Sequence, residues 1–186
     1  MKKIYYITYS SIPSLLPSSL QIIKTCESFV KNNYDVTLIK PGTGYKKISI
    51  KKYYGLINNV KIKEFSSIKS FPQGLKFYLY SFYCLIFILK NKSSITITRN
   101  YFISYLLLLF GKKVVLEVHH DTDVEGRITK FVLKYLNFFN KVNLLNIVAI
   151  SKAVKSLFIK KYKVDSEKIT VLPSGSSIRI NYQPTF

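Results

Sequence analysis

The feature that most constrains this chain is a regular alternation of short β-rich runs with longer segments of helical apolar spacing. Residues 3–9 are rich in β-branched and aromatic types, and the Ser/Pro segment Ser10 to Ser19 that follows reads as a loop. Ser18 and Gln21 stand at capping-box spacing and start a helix over about 19–32. Its apolar positions Ile22, Ile23, Cys26, Phe29 and Val30 recur at three- and four-residue steps and make one buried stripe. Asn32-Asn33 ends the helix, a second strand runs from Tyr34 to Ile39, and a βαβ unit is complete.

Past a turn at Pro41-Gly42-Thr43-Gly44, the lysine-rich stretch 45–68 holds two short strands, near Lys47–Lys51 and Val60–Phe65. Pro72 opens a helix to about Lys90, and Ile95–Thr98 is a strand. Tyr101–Phe110 is a short apolar helix stopped by Gly111, and Val114–Val118 is a continuous buried strand. Thr122 and Glu125 repeat the capping-box spacing ahead of Ile128, Phe131, Val132, Tyr135, Leu136 and Phe139, which form a helical stripe. Ile147–Ile150 is the next strand, Ser151 caps a helix with Val154, Leu157 and Phe158 inward, and Ile169–Leu172 is the last strand before Pro173. Elements alternating at this pitch predict an α/β domain with a mostly parallel sheet covered on both faces.

The 186 residues sit within the span of one domain, and a 48% hydrophobic content builds one core without disulfide or metal support. Cys26 and Cys84 lie far apart, each in an apolar helical pattern, so core packing in a reducing cytoplasm is expected. The basic opening Met1-Lys2-Lys3 is that of a signal peptide, but Thr8, Ser10 and Ser11 cut its apolar run short. Phe77 to Leu89, 13 residues, falls short of the roughly 20 that a membrane-spanning helix needs and reads as a buried or membrane-touching helix. The formal charge of +20 attracts anionic partners: nucleic acid, acidic lipid headgroups or phosphorylated substrates. Only Arg99, Arg127 and Arg179 are arginines and the lysines are scattered, which argues against sequence-specific nucleic-acid recognition.

In parallel sheets ligands bind beyond the carboxyl ends of the strands. Both histidines, His119 and His120, and four of the nine acids, Glu117, Asp121, Asp123 and Glu125, fall at one such end, that of Val114–Val118. Imidazole exchanges a proton near neutral pH, and a neighbouring carboxylate fixes its tautomer. The bland alternative is that a histidine and the acids serve the next helix start. Two adjacent histidines do not readily face one ion, so no metal site is expected. The loop Ser10–Ser19 enters a helix whose free amides suit a phosphate or sugar hydroxyl, and Arg99 stands just past a strand end, able to grip an anion bidentately. A capped loop and a surface salt bridge are the alternatives there. No Gly-x-Gly-x-x-Gly follows the first strand, which disfavours nicotinamide chemistry, and Gly42-Thr43-Gly44 lacks a Walker ending.

Over nearly its whole length the chain resembles the amino-terminal domain of family 4 glycosyltransferases. The resemblance is carried by the opening strand with Pro17-Ser18-Ser19-Leu20-Gln21, by Tyr34–Ile39, by Thr98-Arg99 and by Glu117-Val118-His119. It is most specific in the pair Val148–Val154 and Lys168–Gly175. The chain departs from the family pattern at Ser174 and Ser177, where an acid or asparagine and an aspartate are usual, and in its serine-proline first loop.

The resemblance implies a Rossmann-like three-layer αβα domain, one half of a GT-B fold, over residues 1–175, with 176–186 as the start of a linker or tail and the donor-binding half absent. It implies retaining transfer of a sugar from a nucleotide donor, held by a missing domain or partner chain, to a glycan or lipid-linked acceptor in surface polysaccharide synthesis. No cofactor is called for beyond the nucleotide-sugar substrate. His119 becomes the catalytic residue; Ser18, Ser19, Arg99, Glu117, His120 and Asp121 line the acceptor side, and Ser174 and Gly175 the donor side. Such a half would be cytoplasmic, peripheral on an acidic inner membrane face, and inactive alone. A non-catalytic scaffold of the same fold, docked on a glycosyltransferase partner, is the competing expectation, and general polyanion binding a third.

Overall fold

The computed structural model describes residues 2–42, 49–65, 72–91 and 94–173. Seven strands pair in it: β1 (Lys3–Ile7), β2 (Asp35–Pro41), β3 (Lys61–Phe65), β4 (Ser94–Thr98), β5 (Lys113–Val118), β6 (Leu144–Ala149) and β7 (Ile169–Val171). They form one sheet in the order β3-β2-β1-β4-β5-β6-β7, and every neighbouring pair is parallel. Strand order reverses between β1 and β4, the switch point at which such sheets open a ligand crevice.

Among the described residues six helices cover the sheet: α1 (Pro17–Lys31), α2 (Ile50–Tyr53), α3 (Gln73–Leu89), α4 (Tyr101–Leu109), α5 (Arg127–Tyr135) and α6 (Lys152–Tyr162). Successive strand residues point to opposite faces, so each strand feeds two cores. On one face Ile4, Tyr6, Val36, Leu38 and Ile97 pack with Ile22, Ile23 and Cys26 of α1 and Ile50 of α2. On the other, Tyr5, Ile7, Val114, Leu116, Val118, Ile147 and Ala149 pack under α3, α4, α5 and α6. Both free cysteines are buried in these cores, and burial pushes the Cys84 thiol up to about 12, the behaviour of packing residues.

Four sequence expectations need correction. α1 begins at Pro17, with Leu16 as its N-cap and no side-chain cap bond. A proline at the first helical position brings a preset φ and no N–H to satisfy, so the helix starts before the Ser18 box. The Thr122 box is broken as well. Thr122 opens a 3-10 turn to Val124, Glu125 is extended, and α5 starts only after Gly126. The strand expected near Lys47–Lys51 is at its described end the helix α2, capped by Ser49, whose hydroxyl accepts from the Lys52 amide at 3.3 Å; residues 47 and 48 lie outside the described part. Finally, the stripe from Ile128 to Phe139 does not all face inward. α5 stops at Tyr135, and of the six apolar side chains only Val132 and Phe139 are buried.

Elsewhere boundaries move by one to three residues, the most at β6, which starts at Leu144. Gly111, at φ +68°, closes α4, and the Ser151 hydroxyl accepts from the Val154 amide at 3.2 Å to start α6. Edge strand β3 carries Lys61 and Lys63, charged residues that discourage pairing with another chain.

Candidate active site

Four side chains meet at the carboxyl edge beside the switch point. Tyr6 lies on β1 and Glu117 on β5, on either side of β4; Arg99 follows the last residue of β4, and His119 the last of β5. The register pairs Tyr6 with Ile97 and Ile97 with Val115, which places Tyr6, Arg99, Glu117 and His119 on the face shared with α1. Arg99 is steadied by its neighbour. The Asn100 side chain accepts from the Ile103 amide at 3.0 Å and caps α4 at that point.

Glu117 is the hub. Its Oε2 accepts from the Tyr6 hydroxyl at 2.6 Å. Its Oε1 accepts from Arg99 Nη2 at 2.7 Å and bonds His119 Nε2 at 2.9 Å. Among the described residues it is the one buried carboxylate, at 9% exposure. Burial by itself raises its pKa, but hydrogen bonds from His119, Arg99 and Tyr6 and the arginine charge outweigh that and bring it down to about 2. Burial also opposes the Arg99 charge; Tyr6 and Glu117 outweigh it, so the guanidinium stays positive. Tyr6 is pushed up by burial and by the adjacent carboxylate and remains a donor.

This fixes the imidazole. An ionised carboxylate only accepts, so the proton between the two groups belongs to His119 Nε2, and Nδ1 is the nitrogen left over. The His119 side chain is 23% exposed, turned neither into the core nor fully to solvent.

The other residues singled out in the sequence lie apart from this cluster, in contacts of their own. His120 is exposed and its Nδ1 bonds the Asp121 carbonyl at 2.8 Å. Lys161 of α6 donates to Asp121 and Asp123, at 2.7 Å each, while Tyr162 bonds both Asp121 and Thr122. Slight burial of Asp121 would raise its pKa, and the Lys161 and Tyr162 contacts lower it instead. These bonds staple the loop after β5 onto α6. Asp121 is therefore an anchor of the loop that carries His119.

Ser18 is half-buried in the first turn of α1. Ser19 is fully buried and spends its hydroxyl on the Ser11 carbonyl at 3.0 Å and Ser14 Oγ at 2.7 Å. The same loop is clasped by Tyr54, whose hydroxyl accepts from the Ser14 amide at 2.8 Å and donates to the Ser14 carbonyl at 2.9 Å. Ser174 and Gly175 lie outside the described residues, as do Thr43 and Gly44.

Two residues escaped the sequence reading. Tyr6 looks like any strand aromatic until the strand order brings it beside Glu117. Lys40, fully buried on β2, lies with Nζ 2.7 Å from Glu64, an ion pair without hydrogen-bond alignment. A lysine directly after the buried pair Leu38-Ile39 was its available signal. Among the described residues no group of three or more His, Cys, Asp and Glu side chains is placed to hold a metal ion, and no helix is long and apolar enough to cross a membrane.

An all-parallel, Rossmann-like α/β domain is the architecture of one half of a GT-B glycosyltransferase. The chain belongs to Glycosyltransferase Family 4, whose sequence profile matches residues 20–178. No curated protein matches it. Among solved structures it is similar to a glycosyltransferase from Rickettsia africae, with a TM-score of 0.61, 16% identity and coverage of 92% of this chain and 42% of that one. HepE of Anabaena, solved with UDP and glucose, gives 0.63 at 13% identity over 95% and 45%. MurG of Acinetobacter baumannii gives 0.53 at 11% identity over 95% and 47%. The chain thus spans less than half the length of each of these three neighbours.

Proposed function

We propose that this chain is the acceptor-binding half of a retaining glycosyltransferase. It works with a second lobe, in the same or another chain, that holds a nucleotide-sugar donor. The acceptor is a glycan or a lipid-linked glycan, and the setting is surface polysaccharide synthesis at the inner face of an acidic membrane. Membership of the family supports transfer chemistry, and coverage of under half of each neighbour described above supports the division into lobes.

The observation that carries the reading is the His119 ring held at the carboxyl edge by Glu117. Both Glu117 oxygens are occupied by three donors, and a pKa of about 2 makes the group a poor proton donor or acceptor at neutral pH. Glu117 is thus a positioning residue. It sets the tautomer and angle of His119, which meets the transferring sugar or the acceptor hydroxyl. Arg99 balances the buried carboxylate and places a fixed positive charge at the crevice. The reading calls for no resident metal or cofactor.

Binding measured on the chain alone tests the division of labour. UDP-glucose, UDP-galactose and GDP-mannose, titrated calorimetrically, should bind no tighter than about millimolar, an affinity of roughly −4 kcal/mol. Micromolar binding of any of them would place a donor site in this half and overturn the assignment.

A further inference from the structure

Helix α5 has three lengthwise faces. Thr129, Val132 and Leu133 enter the core. Arg127, Lys130 and Lys134 form an exposed basic row, and the helix contains no acid to balance it. Between these faces run Ile128, Phe131 and Tyr135, continued backward by Val124, at 51%, 56%, 62% and 72% exposure. Steps of three and four residues put Ile128, Phe131 and Tyr135 on one side of the helix, and Val124 stands exposed ahead of its start.

Helix α3 offers a second such row. Leu75, Phe82, Ile86 and Leu89 recur at helical spacing and are 45%, 47%, 50% and 37% exposed. Helix α4 packs against both α3 and α5 and has seven of its nine residues buried, so it is the floor between them. At the start of α5 the two helices approach, with the Tyr78 hydroxyl 3.9 Å from where a Cβ on Gly126 would stand. One outer layer of the domain therefore presents two apolar stripes and a row of cations. Contiguous apolar surface of this kind marks an interaction site.

We propose that the outer face of α5, extended by α3, seats this chain on an anionic lipid bilayer. The proposal rests on the membrane part of the function proposed above and adds the surface that makes the contact. Charge decides the occupant. An apolar stripe flanked by cations that form no ion pair among the described residues matches acyl chains lying under acidic headgroups, and each basic residue near such a surface adds to the attraction. Tyr135, with Lys134 Nζ 5.1 Å from its ring centre, is an aromatic with a polar tip, suited to the headgroup level. Because α5 follows directly on the loop of His119 to Asp121, seating it would hold the carboxyl-edge crevice beside the headgroups, where a lipid-linked acceptor emerges.

Co-sedimentation with vesicles tests this, using phosphatidylcholine alone and phosphatidylcholine with about one third phosphatidylglycerol. The wild type should bind the anionic vesicles, and Ile128→Glu/Phe131→Glu should weaken binding about tenfold or more while thermal unfolding stays near wild type. Lys130→Glu/Lys134→Glu should lose about tenfold, whereas the same charge change at the exposed Lys152 and Lys160 of α6 should lose less than about threefold. The chain has no tryptophan, so Phe131→Trp reports insertion through a blue-shifted emission on vesicles. Tight anionic binding that the α5 changes and the α6 control affect equally, or an unshifted emission from the bound Phe131→Trp variant, would overturn the surface and leave the membrane reading standing. Failure of the wild type to bind would remove both.

Discussion

The carboxyl edge and the outer face of α5 break the ordinary division of polar outside and apolar inside in opposite senses. At the edge a buried carboxylate meets a partly buried guanidinium, and each oxygen of Glu117 is answered by a donor. On α5 large apolar side chains stand in solvent beside a row of cations on a helix without an acid. The first violation is answered within the chain at Glu117, with Arg99 Nε left without a hydrogen-bond partner, and the second is unsatisfied and calls for something outside the chain. Both are places where local rules yield to use.

The contrast is broken most strongly at its buried end. Glu117→Ala takes the acceptor from the partly buried Arg99 and from the Tyr6 hydroxyl and should destabilise the domain by about 3 kcal/mol in denaturant unfolding. The pH dependence follows from the same group. A carboxylate lowered from 4.5 to about 2 contributes stability that is fully present above the unfolded value and is lost as pH falls toward 2. Unfolding midpoints should therefore drop between pH 5 and pH 2.5 in the wild type, by the equivalent of about 3 kcal/mol, and much less in Glu117→Gln. A variant that loses stability as steeply as the wild type would show that the hub is not what titrates.

Helix α5 sharpens the other side. Leu133→Ala empties part of the core and should cost about 2–3 kcal/mol, while Phe131→Glu, two residues earlier, should stay within about 0.5 kcal/mol of wild type. Equal losses would mean that Phe131 is covered by the protein itself.

Residue types made much of this legible in advance. Parallel strands buried on both sides read as continuous apolar runs, which is why β1, β2, β4, β5 and β6 stood out, and the gathering of histidines and acids at the end of β5 pointed to the charged cluster there. Tyr6 could not be read, because its partnership with Glu117 depends on strand order and lies 111 positions away in sequence. The capping boxes at Ser18 and Thr122 misled for different reasons; Pro17 starts α1 ahead of Ser18, and the Thr122 hydroxyl meets Tyr162. The stripe from Ile128 to Phe139 misled more instructively. Periodicity reports that a helix has apolar rows, and only the packing tells which row is covered.

The claim under all of this is that the imidazole of His119 meets the reacting groups and is aimed by Glu117. Turnover by the complete transferase carrying His119→Ala, measured alongside the unfolding free energy of the same variant, tests it most directly. The expected result is a fall in kcat/KM of about a hundredfold or more with stability changed by less than about 1 kcal/mol. An unchanged rate, or a loss of activity that merely follows a loss of folding, would contradict it.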